Sequence, residues 1–123
     1  MKKILIVDDN PDVRRQLRTF LLRQSGEWEV CGEAENGREG VEKARQLLPD
    51  LIILDLSMPV MNGLQAAREI HRLMPEIPMV MFTTFDNQLL EREAKEAGIG
   101  AVRPKSERVD TLFTSIHGLL NQT

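Results

Sequence analysis

Two four-residue stretches, Ile4-Leu5-Ile6-Val7 and Leu51-Ile52-Ile53-Leu54, contain no polar residue. A strand with one wet face alternates apolar and polar side chains. An unbroken apolar run is what a strand covered on both faces requires, as in a parallel sheet. Met79-Val80-Met81-Phe82 has the same character with less β-branching. Glu29-Val30-Cys31-Gly32-Glu33 and Gly100-Ala101-Val102 are shorter and more polar, which places them nearer the sheet edges.

Between these runs the apolar period becomes helical. Val13, Leu17, Phe20 and Leu21 form one stripe and Val41, Ala44, Leu47 and Leu48 a second. Ala66, Ala67, Ile70 and Leu73 form a third, Leu90, Ala94 and Ala97 a thinner fourth, and Leu112, Ile116, Leu119 and Leu120 a fifth. Asn10-Pro11 and Asn36-Gly37 open the first two helices, and Leu48-Pro49 and Met74-Pro75 end the second and third. Strand and helix thus alternate five times with short connections. That pattern predicts an α/β fold, (βα)5, in three layers: a parallel sheet with helices on both faces and right-handed crossovers. The charged run Glu91-Arg92-Glu93-Ala94-Lys95-Glu96 reads as a solvated helix face with i,i+4 ion pairs.

The 123 residues suit one domain, 1–123, with no internal repeat, no linker and no output domain in this chain. A formal charge of -3 and a shortage of aromatics, with four Phe, one Trp and no Tyr, argue against direct nucleic-acid binding, a base-stacking surface or a flavin site. One cysteine excludes an intramolecular disulfide and fits a reducing compartment. The apolar runs are too short to cross a bilayer or to form the core of a signal peptide. A cytoplasmic protein is expected.

In an open α/β sheet, ligands bind at the carboxyl ends of the strands. Strand one ends in Asp8-Asp9, strand three in Asp55, strand four in Thr83-Thr84, and strand five leads through Arg103-Pro104 to Lys105-Ser106. Strand two ends in Gly32-Glu33, which adds little to this set. Three carboxylates crowded on one rim repel one another, and a divalent cation relieves the repulsion. All-oxygen ligands without His or Cys suit Mg²⁺. Mg²⁺, Lys105 and the Thr83 hydroxyl together are arranged for a phosphoryl group, whose oxygens need positive charge and donors. Asp55, after the most apolar strand, is the best candidate nucleophile, while the adjacent pair Asp8-Asp9 suits metal holding. Each element also has a plainer reading. Asp9 and Asn10 are good helix caps before Pro11, Asp55 a loop residue, Thr83 a β-former and Lys105 a solvated lysine. The six Met read as core filler, and His71 and His117 have no partner at metal-ligand spacing.

These residues resemble the receiver domain of two-component response regulators over nearly the whole chain. The resemblance rests on Ile-Leu-Ile-Val-Asp8-Asp9-Asn-Pro, Pro49-Asp-Leu-Ile-Ile-Leu-Asp55-Leu-Ser-Met-Pro59-Val-Met-Asn-Gly63, Pro78-Met-Val-Met-Phe-Thr83 and Lys105-Ser106. Glu-Ala-Glu-Asn-Gly37 and the Lys-Ser ending look most like the NarL/FixJ/LuxR-type branch, whose members usually carry a C-terminal helix-turn-helix. The resemblance implies a flavodoxin-like fold with strand order 2-1-3-4-5. It implies that Asp55 accepts a phosphoryl group from a phosphohistidine of a sensor histidine kinase or histidine phosphotransfer protein. Asp9, Asp55 and the backbone carbonyl of Ser57 would bind Mg²⁺ directly, with Asp8 acting through water. Lys105 would pair with the phosphoryl oxygens, and Thr83 would carry the signal to helices four and five, the surface through which homodimers commonly form in the family. Such a protein is no enzyme beyond its own phosphorylation and autodephosphorylation.

This chain departs from the pattern at Val102, where the family usually has Tyr or Phe, so the aromatic partner of Thr83 is missing. Proline precedes Lys105 rather than following it, and Thr84 is larger than usual. Ser57 and Phe85 occupy the positions that tune autodephosphorylation, and a bulky Phe85 implies a long-lived phosphorylated state. Arg14, Arg15 and Arg18 offer a basic face to a phosphotransfer partner, or else a solvated one. The alternative function is a receiver-fold interaction module that works without phosphate, which the missing aromatic allows. A Mg²⁺-dependent phosphatase lacks its general acid, because Ser57 stands two residues after the nucleophile.

Overall fold

The computed structural model describes residues 1–24, 26–85 and 87–121. Five strands and five helices alternate: β1 (Lys2–Val7), α1 (Pro11–Gln24), β2 (Trp28–Ala34), α2 (Gly37–Leu47), β3 (Leu51–Leu54), α3 (Gly63–Leu73), β4 (Met79–Thr83), α4 (Gln88–Glu96), β5 (Ala101–Pro104) and α5 (Val109–Leu120). All strand pairs are parallel, in the order β2-β1-β3-β4-β5. The two polar strands lie at the edges and the two apolar ones in the middle, as their composition predicts.

Successive side chains on each strand point to opposite layers. Leu5, Val7, Ile52, Leu54, Met79 and Met81 pack against Val41, Ala44, Ala67, Ile70, Leu90 and Ala94 of α2, α3 and α4. Ile4, Ile6, Leu51, Ile53, Val80 and Phe82 face Leu17, Leu21, Leu112 and Ile116 of α1 and α5. At the base of this second layer the Trp28 ring lies 5.0 Å from Phe113, which meets Phe20 edge to face at 6.1 Å. β1 and β2 pair Ile4 with Val30 but Leu5 with Gly32, so Cys31 is the extra residue of a β-bulge. Its Sγ donates to the Ile4 carbonyl at 3.6 Å, and burial pushes the thiol pKa up.

Several sequence expectations need correction. Leu48 is 58% exposed at the left-handed C-cap of α2, and Leu73 points outward at the end of α3. Leu64 and Met74 are buried in α3's part of the core. The ion pairs expected along Glu91–Glu96 do not form among the described residues; the i,i+4 pair observed is Glu39–Lys43 on α2. Of the three arginines of α1, Arg15 beside Asp12 and Arg18 on Glu33 stay exposed, while Arg14 turns inward to Glu33. No helix among the described residues is long and apolar enough to cross a membrane.

Candidate functional site

The site follows from strand register. β1 and β3 run level, Val7 opposite Leu54, so the next residues of each strand, Asp8 and Asp55, emerge side by side. The Asp55 amide continues the ladder by donating to the Val7 carbonyl at 3.0 Å, and the Asp8 amide donates to Ala34 at 3.0 Å. On the other side Thr83 pairs with Pro104, and the Lys105 amide donates to the Thr83 carbonyl at 2.7 Å. Four strand ends therefore deliver Asp8, Asp55, Thr83 and Lys105 to one rim, as the sequence predicts.

Asp8 and Asp55 are buried, and Thr83 is fully so. Lys105 Nζ reaches Asp8 Oδ2 at 2.9 Å and Asp55 Oδ2 at 3.3 Å. The remaining carboxylate oxygens accept from main-chain amides: Asp8 Oδ1 from Asn10 and Asp55 Oδ1 from Leu56, at 2.9 and 2.8 Å. Asn10 Oδ1 accepts from the Asp12 amide at 2.9 Å and so caps α1. That leaves Asp9 without a capping task. It is exposed, and its carboxylate lies with those of Asp8 and Asp55, the ligand atoms all within 4.8 Å of one another.

Burial pushes the Asp55 carboxyl pKa above its ordinary value; the Asp8 charge adds to this and Lys105 opposes it. For Lys105, burial alone would favour the neutral amine. Its hydrogen bond to Asp8 and the charges of Asp55 and Asp8 outweigh that, so the ammonium is held above its ordinary value. The cluster is three carboxylates against one ammonium, all hard oxygen donors with no imidazole or thiolate. This donor set fits a hard divalent cation such as Mg²⁺.

The β3–α3 loop is shaped around Asp55. The Gly63 amide donates to Leu56 at 2.8 Å, and a Cβ on Gly63 would lie 2.0 Å from the Asp55 carbonyl oxygen, so only glycine fits. Asn62 and Gln65 cap α3 reciprocally. Between them and Ser57 the chain makes a γ-turn: the Met61 amide donates to the Pro59 carbonyl at 2.7 Å across Val60, whose φ is 69°. Ser57 is exposed in this loop, and its carbonyl accepts no hydrogen bond among the described residues. The Thr83 hydroxyl accepts from the Phe85 amide at 3.3 Å, and the Phe85 ring is half-exposed. Thr84 is exposed, and Val102 packs against the layer formed by α2, α3 and α4. No cis peptide occurs among the described residues, so the Lys105–Ser106 bond is trans.

Sequence reasoning passed over Glu33 at the end of β2. Its carboxylate accepts from Arg14 Nε at 3.1 Å and from Arg18, and its main-chain carbonyl accepts from Lys43. Arg14 also donates to the Asp8 carbonyl at 2.7 Å. The signal was the strand-end position of Glu33 together with two arginines one turn apart on α1.

Three comparisons bear on this arrangement. The family described as the response regulator receiver domain matches residues 4–117. The chain is 37% identical over 116 residues to the transcriptional regulatory protein LnrK of Bacillus subtilis, covering 94% of this chain and 52% of LnrK. It is 39% identical over 97 residues to the chemotaxis protein CheY of Thermotoga maritima, covering 79% of each. The chain thus spans about half of the one relative and most of the other. Among solved structures, a LuxR-family two-component response regulator from Aurantimonas sp. SI85-9A1 is 30% identical and superposes with a TM-score of 0.91, covering 96% of this chain and 84% of that one. The response regulator domain of Thermotoga maritima CheB also gives 0.91 at 26% identity, with coverage of 100% and 98%.

Proposed function

The chain belongs to the response regulator receiver domain family, whose standard function is phosphorylation-based signalling, and on that premise we propose that Asp55 is its phosphoacceptor. The observation that carries this reading is the pairing of Lys105 with both Asp8 and Asp55 inside the three-carboxylate cluster.

In the proposed step an Asp55 carboxylate oxygen attacks phosphorus of a phosphohistidine on a sensor kinase or phosphotransfer protein. A P–O bond forms, the P–N bond breaks, and the imidazole leaves as the conjugate that takes up a proton. Asp8, Asp9, Asp55 and the Ser57 carbonyl are the groups that would hold Mg²⁺, which when bound offsets the charge of the phosphoryl oxygens. Lys105 already sits between Asp8 and Asp55 and has only to turn from a carboxylate to a phosphoryl oxygen. Burial of Asp55 limits access of water to the acyl phosphate. Thr83, with its hydroxyl on the Phe85 amide, is the group that would reorient toward the new charge and shift the balance between two states of the β4–α4 loop.

The partners are a phosphohistidine donor and, through α4 and α5, a second copy of the chain. The wider reading is a cytoplasmic module, residues 1–123 forming one receiver domain, that controls a downstream partner or a transcription output domain. Val102 in place of the family aromatic supports the second reading, an interaction module independent of phosphate. Acetyl phosphate with Mg²⁺ separates the two. The phosphoacceptor reading expects one added phosphoryl mass on the intact chain, abolished by Asp55→Asn. No addition, or one that survives the substitution, leaves the interaction module.

A further inference from the structure

Arg14 is largely buried, its side chain 17% exposed, and its guanidinium makes two divergent bonds. Nε holds the Glu33 carboxylate, and Nη1 donates to the main-chain carbonyl of Asp8. We propose that Arg14, oriented by Glu33, is a positioning residue for the metal cluster: it fixes the peptide plane between Asp8 and Asp9 and so the direction in which Asp9 presents its carboxylate. This rests on the reading of that cluster as a Mg²⁺ site.

Asp8 is already fixed without Arg14. Its amide is in the ladder with Ala34, one carboxylate oxygen accepts from Asn10 and the other from Lys105. Asp9 has no such support: it is exposed and makes no hydrogen bond or ion pair among the described residues. Among the described residues, the one side chain that grips the peptide joining the two is Arg14. Glu33 in turn is held by Arg18 and, at its main chain, by Lys43, so the arginine is anchored to α1, β2 and α2 at once. Groups behind metal ligands that set their orientation typically change metal affinity by about 10–100-fold when removed.

Charge and positioning predict opposite signs here. Removing a cation bonded to the Asp8 main chain leaves the neighbourhood of the site more negative, which on Coulombic grounds tightens a divalent cation. Loss of positioning weakens it.

The test is Mg²⁺ affinity by titration calorimetry, with thermal unfolding in EDTA as the control for the fold. For Arg14→Met the expected dissociation constant is about tenfold weaker. Arg14→Lys recovers only part, because an ammonium lacks the fork that spans both acceptors. Glu33→Ala reproduces the loss, and Glu33→Gln, which keeps an acceptor for Nε–H, restores most of it. An unchanged or tighter Mg²⁺ constant in folded Arg14→Met overturns the proposal. Should that variant not fold, an unchanged constant in Glu33→Ala overturns it instead. If the wild-type chain binds no Mg²⁺, the reading of the cluster fails first, a result distinct from wild-type binding with no Arg14 effect.

Discussion

The ammonium of Lys105 is bonded to Asp8 at 2.9 Å, closer than the 3.3 Å that separates it from the Asp55 carboxylate. The lysine therefore bridges both buried carboxylates and lies nearer the one at the end of β1. Removing it leaves two buried carboxylates facing each other without a cation. Lys105→Met is expected to lower stability by about 2 kcal/mol in EDTA, below the range for a fully buried pair because the lysine is partly exposed. Saturating Mg²⁺ should return part of that loss by binding the native state. Urea titrations with and without Mg²⁺ check both statements; equal stability of variant and wild type in EDTA contradicts them.

The Asp55 shift makes a prediction about pH. Burial, helped by Asp8, raises its carboxyl pKa in the native state above the unfolded value, despite Lys105. The native state then holds the proton more tightly than the unfolded chain. This contribution to stability is complete below the unfolded pKa, about 3.9, and is lost as pH rises through the native value. At neutral pH the ionised Asp55 is a cost, so without Mg²⁺ Asp55→Asn should raise the urea midpoint. The gap to wild type should narrow on acidification through the carboxylate range. A variant less stable than wild type at pH 7 refutes the assignment.

The fold and the placement of the candidate site residues were legible for the same reason. Runs such as Leu51–Leu54, short and bounded by Pro49-Asp50 and Asp55, fit a doubly covered strand, and a parallel sheet brings its strand ends together whatever the intervening sequence. Asp8, Asp55, Thr83 and Lys105 are therefore readable one strand end at a time. Contacts set by tertiary geometry were not. Arg14 and Glu33 are 19 positions apart on different elements, and along α1 alone the arginine reads as a solvated face. Leu48 and Leu73 extend apolar stripes that the helix ends cut short, so their type predicts burial while the chain's turn exposes them. The bulge at Cys31 depends on how two strands align, which neither strand specifies alone.

Gly63 is required by space rather than by dihedral freedom. A Cβ there would stand 2.0 Å from the Asp55 carbonyl oxygen, a main-chain atom that cannot turn aside. Gly63→Ala must push α3 away from the end of β3, an overpacking at the upper end of its usual cost, about 3 kcal/mol. Because the added Cβ presses on the main chain of Asp55 itself, weaker Mg²⁺ binding should accompany the lower urea midpoint. Wild-type stability in this variant contradicts the packing described.

Val60 presents the reverse case. It is β-branched, has φ of 69° and is 75% exposed, so it carries backbone strain without contributing to the core. Val60→Gly removes the strain, less the entropy glycine loses on folding, and is expected to stabilise the chain by about 0.5 kcal/mol. Thermal unfolding checks the sign. A clear destabilisation means that the side chain makes a contact the turn depends on.

Phe85 bears on how long an aspartyl phosphate would survive. Its amide donates to the Thr83 hydroxyl, which ties its backbone to the rim of the site, and its side chain is half in solvent. Hydrolysis needs a water in line with the Asp55 oxygen, and an apolar side chain two residues after Thr83 offers such a water no hydrogen bond. The phosphorylated chain should therefore decay over minutes or longer with Mg²⁺ present. Phe85→Ala should decay about tenfold faster, a barrier change of about 1.4 kcal/mol. Phe85→Leu retains apolar bulk and the same backbone amide, so its rate should stay near wild type. If both variants speed decay equally, aromaticity rather than bulk is at work. A wild-type half-life of seconds removes the shielding role altogether. Loss of phosphoryl mass from the purified, acetyl phosphate-treated protein, followed over time, distinguishes these outcomes.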